Sequence, residues 1–211
     1  MSKKNGKNRV GFLLDETGSM QVRRDETIVA VNNYLATLRK EKARVTFATF
    51  DTAQGVNFRH VDVRAKDIND LDKATYSPNQ MTPLHDAVGK MIGEMEQHAN
   101  SGDKVLIVIV TDGQENASQE FDLPKVQALI KKQEAAGWAF AYIGATAEAW
   151  AGGASLGVAV GAILNVGGHQ MVGAMRAQCT ATSEYFAGNV TAQNLYAHSR
   201  HLVEDDEEID A

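Results

Sequence analysis

What this chain lacks narrows it first. It has a single cysteine, Cys179, among 211 residues, which excludes an internal disulfide and leads us to expect a reducing, cytoplasmic setting. It has no run of about 18 apolar residues, so no transmembrane helix and no membrane role are expected. The nearest rival is Ala151 to Val166, with Gly153, Gly157 and Gly161 at a spacing that can pack membrane helices. That stretch is short and weakly hydrophobic, and reads as globular packing. Positive charge is not in excess either: 21 basic and 27 acidic residues give −6. The acids of Glu204 to Asp210 account for that whole imbalance, so the body is near neutral, which argues against a nucleic-acid ligand. The basic start, Met1 to Arg9, leads into too short an apolar run for a secretory signal. His60, His85, His98, His169, His198 and His201 form no metal-spaced cluster.

What is present is an ordinary apolar fraction, 44%, enough for one domain with a full core. Arg9 to Asp15 reads as a buried strand. Arg23 to Lys40 reads as a helix with Ile28, Val31, Leu35 and Leu38 on one face. Val45 to Asp51 and Val56 to Val63, joined through Gly55, form a hairpin whose second strand is an antiparallel edge. Thr82-Pro83 starts a helix, with Thr82 as N-cap and Pro83 in first position. Leu84, Ala87, Val88, Met91, Ile92 and Met95 then follow at helical spacing. Lys104 to Thr111 is apolar on both faces, as a central parallel strand must be. Pro124 opens a helix ending near Gly137, Trp138 to Gly144 is a strand, and Glu148 to Leu156 a helix. Ala162 to Val166 is a final strand and His169 to Ala187 a last helix, with Cys179 in its core. This order predicts an α/β fold: a doubly wound, mostly parallel, Rossmann-like sheet with one antiparallel edge strand and helices on both faces. Residues 1–8 read as a basic arm, 9–190 as the domain, and 191–211 as an acidic tail.

The chemistry gathers where the first strand ends. Asp15-Glu16-Thr17-Gly18-Ser19 places one carboxylate and two hydroxyls in a tight turn, in the crevice where open α/β sheets bind ligands. Thr82 and Asp112 add two more oxygen donors on other loops. Each residue alone has an ordinary structural use: Asp15 closing a turn, Ser19 or Thr82 capping a helix, Asp112-Gly113 turning after a strand. Three separate loops offering oxygen, two of them after neighbouring parallel strands, point instead to a hard divalent cation such as Mg²⁺.

Asp15-Glu16-Thr17-Gly18-Ser19-Met20, Met81-Thr82-Pro83-Leu84 and Thr111-Asp112-Gly113, in this order, resemble the von Willebrand factor A domain and its metal-ion-dependent adhesion site, from about Val10 to Ala187. One departure is Thr17, where many members carry Ser; the hydroxyl is retained. Asp112-Gly113-Gln114-Glu115-Asn116 and Gly137-Trp138-Ala139-Phe140 look most like stand-alone A domains of bacteria and their phages. The resemblance implies Mg²⁺ (or Mn²⁺) bound by the Thr17 and Ser19 hydroxyls, with Asp15 and Asp112 acting directly or through water and Thr82 joining in the liganded state. It implies a protein partner that offers an Asp or Glu carboxylate, and no catalysis. An adaptor for an ATPase, or a phage component meeting a host protein in the cytoplasm or virion, is the expected setting.

Two other readings start from the same residues. One is a structural assembly subunit, which would self-associate. The other is an aspartyl-phosphate phosphatase with Asp15 as nucleophile, but such enzymes place an acid two residues on, where this chain has Thr17. The acidic tail reads as a solvated end, with docking to a basic surface as its functional alternative.

Overall fold

The computed structural model describes residues 6–144, 146–165 and 170–203, with only the backbone at 147–150. In chain order it contains β1 (Asn8–Asp15), α1 (Arg24–Lys40), β2 (Arg44–Asp51), β3 (Gly55–Arg64), α2 (Leu84–His98), β4 (Lys104–Thr111), α3 (Leu123–Ala135), β5 (Ala139–Gly144), α4 (Ala147–Ser155), β6 (Ile163–Asn165) and α5 (Met171–Ala187). The strands form one sheet in the order β3-β2-β1-β4-β5-β6. All neighbours run parallel except β3, which returns antiparallel along β2 as the outer edge. The expected doubly wound α/β architecture is therefore present.

Burial on both faces explains the apolar runs. Phe12 turns one way, its ring 5.4 Å from Tyr34 of α1 and 5.3 Å from Phe47 of β2. The preceding residue, Gly11, turns the other way, where a Cβ would come within 2.9 Å of the Met91 sulfur on α2. Helices thus cover both faces, α5 lying along α1 and α3 along α2. The chain leaves β1 for β2 on one side and returns to β4 on the other, which opens a crevice at the strands' carboxyl ends. Among the described residues no helix is long and apolar enough to cross a membrane.

The edge strand is irregular. Its pairing with β2 shifts register between Val45 and Phe47 and again between Phe47 and Ala48, and Asp62 adopts φ +44°. The Asp62 carboxylate is held by Arg9 and Arg44, and Arg9 also donates to Asp103 at 2.6 Å.

Some boundaries differ from expectation. The last strand is short, Ile163–Asn165, because Val160–Ala162 winds as a 3₁₀ turn; Val166 and His169 lie outside the described residues. Cys179 is only half-buried, its thiol 3.8 Å from the Asn33 carbonyl. The expectation of a tail from residue 191 is corrected, since Leu195, Tyr196, Ser199 and Val203 are all buried. The Tyr196 hydroxyl donates to Gln178, Gln178 donates to Thr182 at 2.9 Å, and Thr182 meets the Tyr34 hydroxyl at 3.0 Å. Buried polar atoms need such partners, and here they tie residues 192–203 into the core between α1 and α5. Glu204 to Ala211, like Met1 to Asn5, lie outside the described residues.

A chain ending at Val203 is expected to melt as the full chain does. One ending at Val190 should lose several kcal/mol through exposed core, and Tyr196→Phe about 1–2 kcal/mol through Gln178 left unpaired. Thermal unfolding followed by circular dichroism reads all three; equal melting for both truncations would show that residues 191–203 do not belong to the core.

Candidate metal centre

Three loops meet at the carboxyl end of the sheet, and together they carry all five expected oxygen donors. Asp15 closes β1 and Asp112 directly follows β4; Leu14 pairs with Val110, so the two strands deliver their acids side by side. Both acids are buried, as are Thr17 and Thr82. Asp15 Oδ1 accepts the Thr17 N–H at 2.8 Å, and its Oδ2 accepts the Thr111 hydroxyl at 2.5 Å. The Ser19 hydroxyl donates to Asp112 Oδ1 at 2.5 Å and lies 3.3 Å from that of Thr17. From the third loop, the Thr82 hydroxyl donates to Thr17 Oγ1 at 3.3 Å. Gly113 permits this approach, for a Cβ there would stand 2.9 Å from Thr82 Oγ1 and 3.7 Å from Asp15 Oδ2.

The electrostatics are those of an under-neutralised anion site. Burial pushes the Asp15 carboxyl up to about 6 from its ordinary 3.8, against hydrogen bonds from Thr111 and Thr17 that lower it, and the Asp112 charge adds to the rise. Burial raises Asp112 as well, opposed by the Ser19 hydroxyl and by Arg23, whose Nε lies 3.6 Å from Asp112 Oδ2.

Residues that sequence reasoning did not single out hold the loops in place. The Glu16 carboxylate accepts the Ser77 N–H and a guanidinium N–H of Arg59, both at 2.7 Å. The Tyr76 hydroxyl donates to the Asp15 carbonyl at 2.8 Å, and Gly18 N–H donates to the Gln80 carbonyl at 3.0 Å. The third loop is bound to the segment after Asp112. The Thr82 N–H donates to Asn116 Oδ1 at 2.9 Å, and the Asn116 N–H returns to the Thr82 carbonyl at 3.2 Å. Glu115 accepts the His85 N–H at 2.8 Å, and Ser118 Oγ accepts the Asp86 N–H at 3.0 Å. Asp86 in turn accepts N–H groups from Gln119, Glu120 and Phe121, which hold its carboxyl below the usual range.

One expectation is corrected by these contacts. Thr82 does not cap α2: Pro83 occupies the N-cap position without a side-chain cap, and Glu115 and Ser118 satisfy the first N–H groups in its place. That leaves the Thr82 hydroxyl for the oxygen cluster. Between Ser19 and α1, Gly18–Arg23 winds as a 3₁₀ segment, and α1 starts at Arg24, one residue from its expected start.

Among the described residues no group of three His, Cys, Asp or Glu side chains converges. Two carboxylates and three hydroxyls make an all-oxygen donor set, whose charge matches one hard divalent ion. The residues fit such an ion.

Comparison with known proteins follows the same line. A model of the von Willebrand factor type A domain matches residues 10–155. No curated protein matches the sequence. The open conformation of the pilus adhesin SpaC from Lactobacillus rhamnosus GG superposes with a TM-score of 0.69 at 12% identity, covering 88% of this chain and 31% of that one. Proximal thread matrix protein 1 from the mussel byssus gives 0.62 at 13% identity, covering 85% and 48%. A structure of that mussel protein with a zinc-occupied metal-ion-dependent adhesion site gives 0.55 at 14%, covering 94% and 48%. The SpRpn10 VWA domain gives 0.54 at 11%, covering 82% and 95%. This chain thus spans less than half of the adhesin and of the mussel protein, and at these identities the likeness is one of fold.

Because folded Asp15 keeps its proton at a pH where the unfolded chain has released it, the metal-free protein should lose stability as pH rises from about 4 through about 6. Asp15→Asn is expected to raise metal-free stability near neutral pH by about 1–3 kcal/mol while abolishing any gain from added Mg²⁺; denaturant unfolding with and without the ion reads both. Gly113→Ala should displace the Thr82 hydroxyl and weaken cation binding with little change in folding, as titration calorimetry would show.

Proposed function

Because the chain belongs to the von Willebrand factor type A family, a family of protein-interaction modules often built around a metal site, we propose that it binds a protein partner through Mg²⁺ (or Mn²⁺) held by Asp15, Thr17, Ser19, Thr82 and Asp112. The observation that carries this reading is the convergence of two buried carboxylates and three hydroxyls from three loops at one end of the sheet. When bound, the ion supplies a Lewis-acidic position for an Asp or Glu carboxylate of the partner.

The protein's own residues decide how that position is presented. Asp15 and Asp112 bring enough charge to neutralise a divalent ion and no more, while Thr17, Ser19 and Thr82 bring none. An arriving carboxylate is therefore not repelled, and Arg23 beside Asp112 favours it. Val22 and Met81, close in sequence to Ser19 and Thr82, are exposed and offer apolar surface to a partner beside the ion. Engagement of Thr82 in the partner-bound state would draw on the loop that enters α2, a coupling of about 1–3 kcal/mol.

We assign binding without catalysis. Where an aspartyl-phosphate enzyme carries its general acid, this chain has Thr17, whose hydroxyl belongs to the oxygen cluster. The setting we propose is intracellular, as an adaptor for an ATPase or as a phage component acting on a host protein; the single cysteine supports a reducing compartment.

At about a hundred times its Kd, Mg²⁺ should stabilise the wild type by about 2.7 kcal/mol and leave Asp15→Ala unchanged. Affinity capture from the source cell, with wild type and Asp15→Ala in Mg²⁺ and then in EDTA, should lose the same partner in the mutant and the chelated sample. Partners indifferent to both changes would overturn metal-bridged recognition.

A further inference from the structure

Beside the oxygen cluster lies a cleft of about 490 Å³ that the metal chemistry does not use. Its walls are mainly apolar: Leu84 at the start of α2, Leu123 at the start of α3, Ala151 in the middle of α4 and Leu156 just after it. Gly113 and Gly152 also line it. His85 and Glu115, with Nδ1 and Oε2 3.7 Å apart, form a polar rim. Leu84 and Leu156 are almost fully buried, whereas Ala151 and Ser155 are exposed at the mouth.

The cleft and the donor set share a wall. Gly113 lines the cleft, and the position of its missing Cβ stands 2.9 Å from Thr82 Oγ1 and 3.7 Å from Asp15 Oδ2. Leu84 is two residues from Thr82, on the loop that Asn116 holds. An extended segment advances about 3.3 Å per residue, so one that places a carboxylate at the ion reaches the cleft within a few residues. An apolar pocket with a few polar groups at its rim is the usual form of a specificity subsite, and a buried anchor beside a charged contact is how interfaces discriminate among partners.

We propose that this cleft takes one large apolar side chain (Leu, Ile, Met or Phe) from the same partner segment whose Asp or Glu engages the metal. The recognised element is then an acid and an apolar anchor at a fixed short spacing. This rests on the metal-bridged reading above, and it adds a selectivity that the ion cannot supply, since every carboxylate looks alike to a cation. The anchor's contribution should be about tenfold to a hundredfold in affinity, the range for burying one such side chain.

A random-peptide display library selected on the Mg²⁺-loaded full chain tests this. Recovered peptides are expected to carry an acid with an apolar residue at constant spacing, and to be lost in EDTA. Replacing the apolar residue of a resynthesised peptide by Ser should cost about tenfold to a hundredfold on the wild type. The same replacement should cost nothing on Ala151→Phe or Ser155→Phe, which fill the mouth of the cleft from exposed helix positions. Peptides that need Mg²⁺ and an acid but show no apolar preference would overturn the cleft and leave the metal reading standing. Peptides indifferent to EDTA, or no acid-bearing binder at all, would overturn the metal reading and this proposal with it. If the two Phe variants change only self-association, the cleft is an interface between copies and the proposal fails.

Discussion

The parallel pairing of β1 with β4 sets a problem that the rest of this end of the molecule answers. It brings two sequence-distant acids, Asp15 and Asp112, to adjoining strand ends, out of water and near one another. Charges so placed resist burial unless protons, hydrogen bonds or a cation offset them. Thr111, Ser19 and Arg23 give partial relief, and Asp15 still holds its proton to about 6. Such an arrangement is poor for stability in isolation and good for capturing a positive ion, a trade commonly met at functional sites.

The loops around those acids are stitched by side chains reaching across to backbone. Glu16 and Tyr76 join the first loop to residues 75–80. Asn116, Glu115 and Ser118 join the second to the entry of α2. Every one of these bonds bridges loops that carry donor oxygens or flank them, so the site is held by a frame of its own more than by the core below it. Thr82 is bonded to Asn116 directly, and the same segment supplies the hydrogen bonds that cap the first turn of α2.

Much of this was legible in the amino-acid order, for definite reasons. Val105 to Val110 could only be a central strand because burial on two faces removes alternation, and Met91 and Met95 could only face the core because their spacing matches a helix turn. The five oxygen-bearing side chains that the fold brings together could be picked out as hard-oxygen types, four of them just after strands. The framing residues were not, since Glu16 meets Ser77 across 61 positions and Thr82 meets Asn116 across 34. Leu195 and Tyr196 were missed because they are isolated apolar residues amid polar ones, with no period to betray their burial. The Thr82 cap was misplaced by one residue because a hydroxyl before proline looks the same whether it serves a helix end or an oxygen cluster.

The irregular edge carries a consequence of another kind. A straight outer strand offers unpaired N–H and C=O groups to any other chain, and proteins that leave one bare tend to zipper together. β3 shifts register twice against β2, turns Asp62 into a left-handed conformation, and fastens that residue to Arg44 of β2 and Arg9 of β1 beyond it. Stacking a second copy edge to edge would require removing that irregularity and breaking a half-buried ion-pair cluster. The β3 side of the sheet is thereby a poor template for growth by a second copy.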